Sequence, residues 1–174
     1  DQVILGNGSN EHIELLGHVF LSAGSKVVVS EQAFIIYKLV ANLFQAGVIE
    51  VPMKAFTHDP EAMLEAITPE TKLVFIANPN NPTGTMVDES ALDAYFERVP
   101  SHVITVLDEA YIELLPASAQ PGTLKYVRQG LKVCLLRTFS KTYGLAGLRV
   151  GYAVGPEPLI ALLHRTRQPF NCNA

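Results

Sequence analysis

The run Val103-Ile104-Thr105-Val106-Leu107-Asp108-Glu109 sets apolar and β-branched residues in front of two carboxylates. A short continuous run of this kind, bounded by polar residues, reads as a strand buried on both faces, as in the middle of a parallel sheet. Outward from it, similar runs recur at residues 26–29, 48–51, 73–77, 133–137 and 149–154. Between them, residues 10–23, 33–46, 60–67, 88–98 and 156–167 carry the spacing of amphipathic helices. This alternation predicts an α/β fold in one domain, a mostly parallel central sheet flanked by helices. Ligands of such sheets collect at the carboxyl ends of the strands. Residues 6–10, 78–85, 108–111 and 138–141 each follow a strand-like run and are therefore expected to converge on one crevice.

Composition narrows the class. A chain of 174 residues is long enough to bury roughly 70% of its unfolded surface. Hydrophobic residues make up 48% and charged ones 17%, against a usual charged share of about 25%, so part of the surface is expected to be covered by something else. A net charge of -4, with no lysine or arginine run, argues against a nucleic-acid partner. The apolar runs fall far short of the ~20 residues of a membrane helix. No secretory signal is visible at Asp1-Gln2-Val3-Ile4-Leu5, and Cys134 and Cys172 have no framework spacing, which suits reduced thiols in the cytoplasm. The sequence opens on a strand-like run and stops at Asn173-Ala174 without a closing element, so it reads as an excised portion of a longer protein.

The loops carry the chemistry. Asp108 sits at the tip of a buried strand, where a carboxylate needs a charged or hydrogen-bonding partner. A protonated pyridine nitrogen is one such partner; helix capping or pairing with Arg137 is the plainer alternative. An apolar strand ending in Asp-Glu also occurs at the magnesium site of ATPases, but the phosphate loop that reading requires is missing, since Phe139-Ser140 precede Lys141-Thr142. Lys141 follows the 133–137 run, and at the mouth of a sheet desolvation would lower its pKa and free the amine for Schiff-base chemistry. Thr138, Ser140 and Arg149 near it suit a phosphate dianion, although an isolated Ser-Lys pair is most often solvated surface.

Prolines on both sides of Asn81, in Asn78-Pro79-Asn80-Asn81-Pro82-Thr83-Gly84-Thr85, should aim its amide into the crevice rather than merely form a turn. Gly6-Asn7-Gly8-Ser9-Asn10-Glu11 lacks the third glycine of a dinucleotide fingerprint. Its better use is anion binding by amides at the start of the helix near Asn10, and simple capping by Ser9 or Asn10 is compatible with that. Phe34 could lie flat on a planar cofactor, while Phe34 and Tyr37, three apart on a helix, also suit a core role. The five histidines show no metal-ligand spacing, and no Gly-x-Ser-x-Gly occurs.

Taken in order, Asn81-Pro82-Thr83-Gly84, Asp108-Glu109-Ala110-Tyr111 and Thr138-Phe139-Ser140-Lys141 with Arg149 resemble the class I/II aminotransferases, the aspartate-aminotransferase-like group of pyridoxal-phosphate enzymes. Within it the run from Arg137 to Tyr152 is most similar to the histidinol-phosphate aminotransferase branch, and Gly6 to Glu11 and Arg167-Gln168-Pro169-Phe170-Asn171 fit the same branch. The resemblance covers essentially the whole chain. It implies the large, cofactor-binding domain of that fold over residues 1–174, with the amino-terminal arm and the carboxyl-terminal small domain absent. It further implies that Lys141 holds pyridoxal 5'-phosphate as a Schiff base, that Asp108 keeps the ring nitrogen protonated, and that Asn81 and Tyr111 bond the phenolic oxygen. Thr138, Ser140, Arg149 and the amides near Ser9 and Asn10 would take the phosphate. Phe34 matches the stacking position, where Gln32-Ala33-Phe34 replaces the usual Pro-Thr-Tyr, so a tyrosine hydroxyl contact is missing. Implied partners are an amino donor, a 2-oxo acid and, in the intact protein, a second copy in a homodimer. The implied reaction is transamination between histidinol phosphate and 2-oxoglutarate in histidine biosynthesis. An aromatic or broad-specificity aminotransferase, a phosphothreonine decarboxylase of the same fold, and a non-catalytic interaction module are the alternatives.

Overall fold

The computed structural model describes residues 1–172; Asn173 and Ala174, on which the reading of an unfinished end partly rests, lie outside the described residues. Along the chain come β1 (Val3–Gly6), α1 (Gly8–Phe20), β2 (Lys26–Ser30), α2 (Ile36–Leu43), β3 (Gly47–Val51), α3 (Pro60–Glu65) and β4 (Thr71–Ala77). They are followed by α4 (Glu89–Arg98), β5 (Ile104–Asp108), α5 (Leu124–Arg128), β6 (Val133–Thr138), β7 (Gly151–Val154) and α6 (Glu157–Thr166).

The strands form one sheet in the order β1-β7-β6-β5-β4-β2-β3. Pairing is parallel from β3 through β6, and β7 runs antiparallel to both β6 and β1. β1 therefore points the same way as β6, and the segment entering β7 sits on the rim where β1, β4, β5 and β6 end. This geometry brings all four expected loops, together with Arg149, to one edge.

Side chains alternate across the strands, so the central strands feed two cores. Leu73 and Phe75 of β4 join Ile13, Leu16, Val40 and Leu163 on the face covered by α1, α2 and α6. Val74 and Ile76 join Met63, Leu92, Tyr95 and Tyr126 on the face of α3, α4 and α5. Each fully buried residue of this size stabilises the fold by roughly 1.5–3 kcal/mol relative to an exposed one. Sealed on both sides over its central strands, the sheet forms a rigid platform with its loops held at the rim.

Several boundaries differ from expectation for local reasons. α2 is shorter than residues 33–46 because Gln45 turns left-handed at φ 57°. The last strand begins at Gly151 rather than at Arg149, whose φ of 53° keeps it out of extended geometry. α5, only five residues long, is too short to show helical periodicity and was not expected. α4 starts where expected because the Asp88 carboxylate accepts the Ala91 amide at 2.8 Å. No helix among the described residues is long and apolar enough to cross a membrane.

Candidate active site

At the rim lies a cavity of about 510 Å³, and every residue singled out in the sequence lines it: Ser9, Asn10, Phe34, Asn81, Asp108, Tyr111, Thr138, Ser140, Lys141 and Arg149. This volume is within the usual range for small-molecule sites.

Asp108 ends β5 in the middle of the sheet and is 5% exposed. Its Oδ2 accepts the Tyr37 hydroxyl at 2.7 Å and its Oδ1 accepts the Ala110 amide at 3.2 Å. Burial pushes its pKa up, opposed by the Tyr37 hydrogen bond, the Ala110 amide and the charge of Lys141. Pairing of Asp108 with Arg137, the plain alternative, is excluded. Arg137 Nε bonds Glu109 Oε2 at 2.8 Å, and Thr123 donates to the other oxygen of Glu109. Successive residues of the strand end thus have opposite duties: Glu109 is neutralised within the protein, whereas Asp108 keeps acceptor capacity towards the cavity.

Asn81 reaches the same space from a pinned loop. Asn78 is tied through both ends of its amide to Val87, and Asn80 Nδ2 donates to the Gln32 carbonyl at 2.9 Å and to Thr83 at 2.8 Å. With its neighbours fixed, Asn81 Nδ2 lies 3.4 Å from the Tyr111 hydroxyl. Lys141 stands over the Tyr111 ring, with Nζ 5.1 Å from the centroid. Among the described residues its Nζ has no hydrogen bond or ion pair. The desolvated lysine expected from the sequence is not present in this chain: Lys141 is exposed, as is every residue from 141 to 149, because no element of the described chain packs over that turn.

The other end of the cavity is cationic and rich in donors. α1 begins at Gly8, before Ser9 and Asn10, and its N-cap is Asn7 without a side-chain cap. Capping by Ser9 or Asn10 is thereby ruled out, and their amides are first-turn donors without helical acceptors. A Cβ on Gly8 would lie 2.7 Å from Arg149 Nη2, and one on Gly151 would lie 2.6 Å from the Gly8 carbonyl carbon and the Ser9 nitrogen. Two missing side chains therefore let the helix start, the strand start and the guanidinium come together. Arg149 Nη1 donates to the Ala146 carbonyl at 2.9 Å and approaches Ser140 Oγ at 3.4 Å. Thr138 Oγ1 accepts the Ser140 amide at 3.2 Å, which shapes the turn before Lys141.

Sequence reasoning missed Tyr37 as a site residue. Its ring does belong to the core, as expected, but the residue also borders the cavity and its hydroxyl bonds Asp108. Only its place three residues after Phe34 hinted at this, because the partner Asp108 lies 71 residues away.

The donor set fits pyridoxal phosphate. It offers an unpaired amine, a buried carboxylate for a ring N–H, an amide and a phenol for a ring oxygen, and a corner of helix amides, hydroxyls and guanidinium that single Cβ atoms would fill.

The sequence profile of the family described as Aminotransferase class I and II matches residues 1–174. The chain is 49% identical over 171 residues to a histidinol-phosphate aminotransferase of Akkermansia muciniphila, covering 98% of this chain and 47% of that protein. It is 47% identical over 174 residues to the enzyme of the same name from Moorella thermoacetica, covering 99% of this chain and 45% of that one. Among solved structures, histidinol-phosphate aminotransferase from Sinorhizobium meliloti in complex with pyridoxal-5'-phosphate superposes with a TM-score of 0.90 at 29% identity, over 96% of this chain and 45% of that one. An aspartate aminotransferase mutant from Thermus thermophilus superposes with a TM-score of 0.86 at 27% identity, over 95% and 46% of the two chains. The chain thus spans about half the length of the curated relatives it matches.

Proposed function

The chain belongs to the class I and II aminotransferases, and from that premise we propose that it is the pyridoxal-phosphate-binding large domain of a histidinol-phosphate aminotransferase. The reaction is transfer of the amino group of histidinol phosphate to 2-oxoglutarate, giving imidazole acetol phosphate and glutamate. The arm and the small domain lie outside residues 1–174, and the working protein is a homodimer. Two free cysteines, one of them buried, are consistent with a cytoplasmic setting. One observation carries the reading: Asp108 and Lys141, from adjacent strands, face one cavity whose far end is an anion corner.

When bound, the cofactor supplies an aldehyde for covalent attachment of amines and a cationic ring that takes up an electron pair from the substrate α-carbon. Lys141 Nζ would hold the cofactor through that aldehyde and, as a free amine, would move the proton at the substrate α-carbon. Asp108 accepts the ring N–H and keeps that nitrogen protonated. Tyr111 and Asn81 hold the phenolic oxygen, Phe34 covers one ring face, and Arg149, Thr138, Ser140 and the Ser9 and Asn10 amides anchor the phosphate.

Borohydride reduction of the full-length protein with its cofactor, followed by peptide mapping, should place the adduct on Lys141; an adduct on another lysine overturns the assignment. A panel of amino donors should rank histidinol phosphate first, and a preference for an aromatic amino acid would remove the substrate assignment while leaving the cofactor site intact.

A further inference from the structure

Tyr37 is 0% exposed and held from two sides. Its ring stacks on Phe75 at 4.6 Å and 9°, and Phe34 meets it edge-on at 5.7 Å. Its hydroxyl has one direction left, and Asp108 Oδ2 stands there at 2.7 Å. The same turn of chain therefore presents Phe34 to the cavity and puts a phenol behind the carboxylate.

We propose that Tyr37 is a positioning residue for the cofactor ring, fixing the orientation of Asp108 and keeping its carboxylate ionised so that it receives a ring N–H. The inference rests on the cofactor reading above. Asp108 has few other supports. The groups facing it are Tyr37 from α2, Lys141 from the turn after β6, and Glu109 and Tyr111 from its own loop. Lys141, the one cation among them, is exposed and screened. Burial favours the protonated acid, and a protonated Asp108 has one acceptor fewer and no charge to offer a cationic nitrogen. A hydrogen bond from a neutral phenol to a carboxylate opposes that protonation and also locks the side-chain torsion. Mutual satisfaction of two buried polar groups would explain the contact as well, but it predicts no link to cofactor affinity.

Tyr37→Phe in the full-length protein removes only the hydroxyl and keeps the stack on Phe75. The direct test is equilibrium titration with pyridoxal phosphate between about pH 6 and pH 8 for wild type, Y37F, D108N and the double variant. The sign follows from Asp108 alone. Losing the phenol raises its pKa in the free protein, so binding must first remove a proton, most of all at low pH. The Kd of Y37F should exceed that of wild type roughly tenfold or more at the acid end, with the ratio shrinking as pH rises. In the D108N background the same change should have no effect. A ratio near one throughout, or a loss independent of pH, assigns the phenol to packing and overturns the proposal. So does a Y37F protein that cannot fold. Wild type that binds no pyridoxal phosphate overturns the cofactor reading itself, a separate and recognisable result.

Discussion

Asp108 and Lys141 open on the same cavity from neighbouring strands, yet Asp108 is 5% exposed while the whole turn from Lys141 to Arg149 is exposed. On the Asp108 side the chain supplies its own supports: Tyr37 and Ala110 bond the carboxylate, and the rings of Phe75 and Phe34 hold Tyr37. On the Lys141 side Tyr143, Leu145 and Leu148 are 52%, 42% and 54% exposed, so apolar surface clusters beside the lysine. The half of the site around Asp108 is thus built by the described chain alone. The half around Lys141 is left open by the described chain.

The contrast can be broken by perturbing each side. The largest effect is expected for Asp108→Asn in the full-length enzyme, which keeps shape and burial but removes the charge. Turnover should fall by about 2–4 kcal/mol of transition-state stabilisation, as for other preorganised electrostatic groups, and near-wild-type kcat would mean that the buried side is only scaffolding. Next comes His58, 4% exposed behind the Asn80 loop, with Nδ1 2.6 Å from Ser30 Oγ. Burial pushes its pKa down to about 4 from 6.5. The folded state therefore binds fewer protons than the unfolded one. Stability from this group is full above pH 6.5 and is lost as pH falls towards 4, about 3 kcal/mol in all. His58→Gln should flatten that acid limb in denaturant titrations at several pH values; an unchanged limb would locate the acid sensitivity elsewhere.

The smallest effect belongs to the open side. Gly8→Ala brings a Cβ to 2.7 Å from Arg149 Nη2 at a φ of 73°. The guanidinium is the exposed end of a flexible side chain and can swing away, so the cost is chiefly backbone strain of ~1–2 kcal/mol and a loss of cofactor affinity of a few fold. A hundredfold loss would show that the open side is as rigid as the buried one.

Residues 103–109 disclosed the central strand and its carboxylate because a doubly buried strand is continuous in sequence, and its tip is the next residue. Lys141, Asn81 and Tyr111 were legible for the same reason, each being a few residues beyond a strand or inside a proline-framed turn. What stayed hidden depends on distance along the chain. Tyr37 meets Asp108 across 71 residues and Arg137 meets Glu109 across 28, and neither pairing leaves a local trace. The choice between Arg137 and the cavity as the partner of Asp108 was accordingly open until the sheet placed Glu109 beside the arginine. The exposure of Lys141 was equally illegible, since exposure is a property of neighbours and not of residues 138–149.

β1 has a single partner in the sheet, β7, with Val3 opposite Val154 and Gly6 opposite Gly151. On a ribosome adding about 5–20 residues per second, the first strand emerges roughly 7–30 s before the one that receives it. Through that interval its edge is an unpaired template, and the first turn of α1 has no Arg149 to face. The corner formed by Gly8, Ser9 and Arg149, encoded far apart along the chain, therefore cannot close until β7 has been made.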